Sequence, residues 1–181
     1  MLTDFVRDHA FTIAWFGLMA LVWFGWAQED PPDKWRPWLG AGSGAAVLIA
    51  GPFGYAVALR WNDGSALDGQ EPLFGLIVLA EFVLAGLGCL VLWRRRQTRW
   101  MAWWVALIVG LHFVPLAFLL DDLSLIGLST VQTVGLCVVA RRLRGSAGTT
   151  SHIVGALMGV TLLVFALFSI VVFTVTVGAP W

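Results

Sequence analysis

Six long apolar runs constrain the fold of this chain more than any other feature of its sequence. Each run approaches or exceeds the ~20 residues that a helix needs to cross a hydrocarbon core of about 30 Å. A segment inside the bilayer must satisfy its backbone hydrogen bonds internally, and a helix does so within one segment. The sequence therefore predicts an all-α polytopic integral membrane protein, a six-transmembrane-helix bundle. The predicted helices cover residues 9–27, 38–59, 73–92, 100–120, 123–140 and 153–177.

Composition and segment lengths favour a single membrane domain over residues 1–181. Only 12% of the residues are charged, whereas a soluble domain carries roughly 25%. The segments between the runs are short, and none is long enough to fold as a soluble domain. We expect the lipid bilayer as a partner, and no cofactor, metal ion or nucleic acid. The sequence has no phosphate-cradling loop, nucleophile motif or HExxH pattern, which disfavours an enzyme.

The basic residues are divided unequally between the two sides of the predicted bundle. Nine lie in the first, third and fifth connections, against two on the other side. Because Lys and Arg concentrate on the cytoplasmic side, this split predicts a bacterial-type inner-membrane protein with both termini outside the cytoplasm. Mixed charges near the N-terminus indicate a retained first helix rather than a cleaved signal peptide. The nine residues are Lys34, Arg36, Arg94, Arg95, Arg96, Arg99, Arg141, Arg142 and Arg144.

A polar layer is predicted in the outer half of the bundle. Four polar side chains lie eight or nine residues from the outer ends of their helices, a depth of roughly 12–13 Å. Our hypothesis is that Glu81 and His112 contact each other, directly or through one water, with Gln132 nearby. Ionisable residues in membrane helices are candidates for ligand binding or proton relay, and the alternative is a structural hydrogen-bond network. The four side chains are Glu81, His112, Gln132 and Ser169.

Prolines and glycines are expected to shape the helices. Pro52 and Pro115 each remove an intrahelical hydrogen bond and are predicted to kink their helices at a depth similar to that of the polar layer. Closely spaced small residues let two membrane helices approach each other, and they serve internal packing or a dimer interface. The glycine pairs are Gly40 and Gly44, Gly51 and Gly54, and Gly155 and Gly159.

Charged and aromatic residues mark the helix ends. Most of the eleven tryptophans lie near the ends of the runs, as interfacial anchors do. Asp121 or Asp122 is expected to be the N-cap of the fifth helix, where its carboxylate accepts free backbone N–H groups. A basic cluster after the third run is a candidate for anionic lipid headgroups, or simply a topology determinant. That cluster consists of Arg94, Arg95, Arg96 and Arg99.

The stretch Val109–Ala117, with the sequence VGLHFVPLA, distinguishes the fourth run. It resembles a motif of small bacterial multi-pass membrane proteins with about six helices, a family whose function is uncharacterised. Phe118 stands where that pattern often has a basic residue. The resemblance implies a similar helical layout, and it implies no activity.

Three functions are compatible with these patterns. The leading hypothesis is that the polar layer binds or transports a small polar or cationic solute, or a proton. The second is a non-catalytic structural or accessory subunit that holds a homo-oligomer or a partner membrane protein through its glycine faces. The third is a membrane-embedded enzyme that acts on a lipid. A binding site predicts a cavity that reaches Glu81 and His112, whereas an accessory subunit predicts a filled core.

Overall fold

The computed structural model describes residues 5–145, 148–179 and 181, and in that part of the chain it contains six α-helices and no β-strand. All six helices are long and apolar enough to cross a membrane, which confirms the all-helical prediction. Each helix begins and ends within three residues of its predicted bounds. The helices are α1 (Val6–Ala27), α2 (Arg36–Leu59), α3 (Glu71–Arg94), α4 (Met101–Leu119), α5 (Ser124–Leu143) and α6 (Ser151–Thr176).

The helix starts follow from local sequence. A proline lies in the first turn of α2 and of α3, where its missing N–H would have had no partner and its fixed φ suits a helix. The turn before α5 places Asp121 at a φ of 50°. The Asp122 carboxylate accepts the backbone N–H of Ser124, the first residue of α5, at 3.0 Å. Asp122 therefore accepts a helix N–H as predicted. The predicted N-cap role of Asp121 or Asp122 is wrong, because Leu123 occupies the N-cap position.

The helices form two groups. In the first group α1 packs along both α2 and α6, and in the second α4 packs against α3 and α5. The groups meet where α6 contacts α4 and α5. Phe16 of α1 lies at this junction, edge-to-face with Phe113 of α4 at 5.5 Å and with Phe165 of α6 at 5.2 Å. Such aromatic pairs add to the packing that holds the two groups together.

The glycine pairs have two different environments. A Cβ atom on Gly155 would lie 2.6 Å from the Trp23 carbonyl oxygen, and one on Gly159 would lie 2.7 Å from the Phe24 ring. The glycine pair of α6 therefore serves internal packing against α1. By contrast, no described atom lies within 4 Å of the Cβ positions of Gly40, Gly44, Gly51 and Gly54. The glycine face of α2 points away from the bundle.

The α3 helix lies at the edge of the bundle. None of its 24 residues, all of which belong to the described chain, is buried. Its main contacts are with α4. The two predicted kink residues, Pro52 and Pro115, lie inside the continuous helices α2 and α4, and both are exposed.

Candidate functional site

Glu81 and His112 face each other between α3 and α4. The distance from Glu81 Oε2 to His112 Nε2 is 3.6 Å. The two side chains are 18% and 15% exposed, respectively. Glu81 lies ten residues from the start of a 24-residue helix, roughly 15 Å along its axis. The pair therefore lies well inside a segment that can span the membrane, at the edge of the bundle rather than on its central axis.

The hydrogen bond of His112 Nδ1 indicates which of the two ring nitrogens carries hydrogen. His112 Nδ1 lies within hydrogen-bond distance of the Val109 carbonyl oxygen, one turn earlier in α4. Because a carbonyl oxygen only accepts, Nδ1 carries hydrogen and donates it. In the neutral ring Nε2 then presents a lone pair, and that lone pair faces the Glu81 carboxylate. One proton between Nε2 and Oε2 is required for the two groups to attract each other.

The α3 helix reaches α4 through small residues. Trp104 of α4 packs over Gly88, and its indole N–H donates a hydrogen bond to the Leu84 carbonyl oxygen at 3.0 Å. Glu81 is seven residues, or two helical turns, before Gly88 and lies on the same face of α3. The close approach at Gly88 thus brings the long Glu81 side chain within reach of His112.

Gln132 is fully buried on a different side of α4. It packs against Gly110 of α4. A Cβ atom added to Gly110 would lie 3.5 Å from the Cβ atom of Gln132. Gly110 is two residues before His112, about 200° around the helix. Gln132, which belongs to α5, therefore packs against the face of α4 opposite to His112. The Gln132 side-chain amide donates to the Thr161 hydroxyl of α6 at 3.1 Å. Among the described residues its Oε1 atom has no hydrogen-bond partner.

Ser169 is fully buried against α1. Its carbonyl oxygen lies 3.2 Å from His9 Nε2 and accepts the hydrogen of that nitrogen. His9 is 1% exposed, and its ring lies edge-to-face with Phe173 at 5.1 Å. Neither His9 Nδ1 nor Ser169 Oγ has a hydrogen-bond partner in the described part of the chain. The four residues of the predicted layer therefore make three separate contacts: Glu81 with His112, Gln132 with Thr161, and Ser169 with His9. Within the predicted set, the structure shows a contact only between Glu81 and His112 among the described residues.

Several buried polar groups escaped the sequence analysis, and His9 and Asp8 are two that connect separate segments of the chain. His9, expected at the outer edge of the first helix, belongs to its buried face, and its four-residue spacing from Ile13 was the available signal. Asp8 accepts hydrogen bonds from the Ser65 hydroxyl at 3.0 Å and from the Ala66 N–H at 2.7 Å. This contact attaches the loop before α3 to the start of α1. No local pattern in either segment indicates it.

The arginines after α3 also differ from one another. Arg94, Arg95 and Arg96 are exposed, whereas Arg99 is half-buried. Arg99 donates to the Leu143 carbonyl oxygen at 2.6 Å, and its guanidinium carbon lies 4.9 Å from the centre of the Trp100 ring. Arg99 is therefore positioned by the fold, while its three neighbours extend from the surface.

Two cavities lie at the basic end of the bundle, the end formed by residues 28–35, 95–100, 144–145 and 148–150. One has a volume of about 250 Å³ and the other about 340 Å³. Neither of these two cavities is lined by Glu81 or His112. The described residues also contain no group of three or more His, Cys, Asp or Glu side chains that could hold a metal ion.

Comparison with protein-family models, with curated proteins and with solved structures finds no match to this chain.

Proposed function

We propose that this protein binds or transports a proton, or a small polar or cationic solute, at the Glu81–His112 pair in a bacterial inner membrane. The observation that carries the proposal is the arrangement of His112, whose Nδ1 donates to the Val109 carbonyl oxygen and whose Nε2 lies 3.6 Å from the Glu81 carboxylate. Gln132 and Ser169 have other contacts and are not part of the proposed site. In this proposal the basic end of the bundle faces the cytoplasm.

A proton suits this pair for an electrostatic reason. With one proton the pair is net neutral, either as histidinium and carboxylate or as imidazole and carboxylic acid. Loss of that proton leaves a carboxylate facing a lone pair in a segment where water is scarce, which is costly. An ammonium group of a solute could replace the proton, because it donates hydrogen to both acceptors. Both side chains are partly exposed, so the pair is accessible at the edge of the bundle.

Nuclear magnetic resonance of ¹⁵N-labelled histidine tests the pair directly, since the chain contains only three histidines. We expect the Nε2 resonance of His112 to shift in Glu81→Gln, because the carboxylate that faces this nitrogen is lost. Glu71→Gln is a matched control, because Glu71 lies exposed at the start of the same helix. An unchanged His112 resonance in Glu81→Gln would show that the two groups do not share a proton.

Function is tested by reconstitution into liposomes with a pH-sensitive dye inside. An imposed pH gradient, and then a gradient of a small amine, is expected to produce a flux that Glu81→Gln abolishes and Glu71→Gln retains. Thermal stability of the purified protein with amines and small acids tests binding without transport. No flux, together with no shift from any solute, would reject the proposed function.

A second candidate is an accessory subunit or homo-oligomer, and the open glycine face of α2 favours it. The face includes Gly40, Gly44 and Gly51, and close approach of a second copy at such positions is a known mode of membrane-helix association. Gly44→Leu is then expected to abolish cross-linking between copies. Gly25→Leu is the control, since Gly25 of α1 is also exposed with no described atom within 4 Å of its Cβ position. A monomer in mild detergent and in bilayers would reject this candidate.

A further inference from the structure

The N-terminus of α6 borders the larger cavity at the basic end. Its first N–H groups have no partner within the helix, and no side chain of the described residues caps them. The N-cap residue, Thr150, instead donates its hydroxyl hydrogen to the Arg99 carbonyl oxygen at 2.6 Å. The positive end of this 26-residue helix is therefore available to an anion.

Two of the residues that line this cavity carry hydroxyl groups without a described partner, and these groups point to a ligand. Ser151 Oγ and Thr149 Oγ1 are buried, and neither has a hydrogen-bond partner in the described part of the chain. Ser151 is only 3% exposed. A buried hydroxyl without a partner is costly and is rare in native proteins. An anionic oxygen in the cavity could accept a hydrogen bond from both hydroxyls.

The charges around the cavity are of both signs. Arg99 lines the cavity and carries a positive charge, and its guanidinium also donates to the Leu143 carbonyl oxygen. Glu29 lines the same cavity and contributes a carboxylate. A simple anion would gain from the first and be repelled by the second. A ligand with both a phosphate and an ammonium group matches the two charges.

We propose that this cavity binds the headgroup of an ethanolamine phospholipid, with its phosphate at the α6 N-terminus and Ser151 and its ammonium group at Glu29. Trp26 and Met101 form an apolar wall of the cavity, which suits the acyl chains that follow the glycerol of a lipid. Tryptophan is typical of the headgroup level of a membrane. This surrounding favours a lipid phosphate over free inorganic phosphate. The proposal is independent of the Glu81–His112 pair.

Native mass spectrometry of the intact, delipidated protein tests the proposal by competition among three lipids. We expect phosphatidylethanolamine to be retained about tenfold more than phosphatidylcholine or phosphatidylglycerol, equivalent to about 1.4 kcal/mol. Choline cannot donate a hydrogen bond to Glu29, and glycerol carries no positive charge. Glu29→Gln is expected to remove the preference for ethanolamine over choline. Glu71→Gln, at the other end of the bundle, is expected to preserve it.

Ser151→Asp tests the phosphate position. A carboxylate suits a helix N-terminus, so the fold is expected to persist, while its charge repels phosphate and removes all three lipid adducts. Ser151→Ala is the second variant should Ser151→Asp not fold, and a several-fold loss of the ethanolamine lipid is expected. Equal retention of the three lipids by the wild-type protein would overturn the proposal, as would unchanged selectivity in Glu29→Gln or unchanged lipid retention in the Ser151 variants. Thermal stabilisation by inorganic phosphate without lipid selectivity would also overturn it, in favour of a free anion.

Discussion

Trp104 of α4 occupies the space directly above Gly88 of α3, where a Cβ atom would lie 1.8 Å from the indole Nε1. The same N–H group donates to the Leu84 carbonyl oxygen. Because α3 has no buried residue in the described structure, specific contacts with α4 matter more for its attachment than general burial does. The Trp104 contact and the Glu81–His112 pair are two such contacts, and both can be tested.

Gly88→Ala is expected to lower the free energy of unfolding by about 1–3 kcal/mol, the usual cost of overpacking. Gly86→Ala is the matched control, since no described atom lies within 4 Å of its Cβ position. There alanine is expected to be neutral or stabilising, because it favours a helix over glycine by up to about 1 kcal/mol. Unfolding in mixed micelles measures both variants. Equal stabilities would mean that α3 does not dock on Trp104 as described.

A double-mutant cycle on Glu81→Gln and His112→Gln measures the pair itself. We expect a coupling free energy on the order of 1–2 kcal/mol, typical of interacting neighbours. Arg60 and Asp63 provide a control cycle, because their ion pair is long, at 3.8 Å, and more exposed, where coupling is about 0–1 kcal/mol. Additive effects at Glu81 and His112 would show that the two side chains do not interact.

Gly155→Ala is expected to destabilise the α1–α6 contact more than Gly159→Ala does. At Gly155 the added Cβ would meet the backbone carbonyl oxygen of Trp23 at 2.6 Å, whereas at Gly159 it meets the side-chain ring of Phe24. A side chain can rotate away, but the backbone of a packed helix cannot. Thermal unfolding of the two variants gives the order, and the reverse order would contradict this explanation.

Thr161→Val is expected to cost about 1–3 kcal/mol, because the buried Gln132 amide then loses its acceptor. Gln132→Leu is expected to be nearly neutral, since it removes the donor together with an Oε1 atom that has no partner among the described residues. Equilibrium unfolding compares the two. Gln132→Leu should also leave the His112 resonance unchanged, and a shift there would place Gln132 in the same network as the pair.

Asp8→Asn is expected to release the loop before α3 and to lower the free energy of unfolding by about 1.5–3 kcal/mol, the range for hydrogen bonds to a charged group. Hydrogen exchange at the Ala66 amide should increase, because that N–H donates to Asp8 at 2.7 Å. Asp63→Asn in the same loop is the control and should leave Ala66 protected. Equal exchange in the two variants would argue against this contact.

The sequence alone determined the helical class, the number of long helices and their bounds to within three residues. It could do so because the length of an apolar run and the position of prolines and charges act locally. The contact between Glu81 and His112 was also predicted, since neighbouring antiparallel helices place residues at matching depths side by side.

Only the tertiary structure decided how the polar side chains are shared among the helices. Depth along a helix follows from counting residues, whereas the direction in which a side chain points depends on how every helix is rotated about its axis. Apolar runs without a polar face leave that rotation unspecified. For this reason Gln132 contacts α6 rather than His112, Ser169 contacts His9, and Ser151 lines a cavity that no sequence pattern indicates.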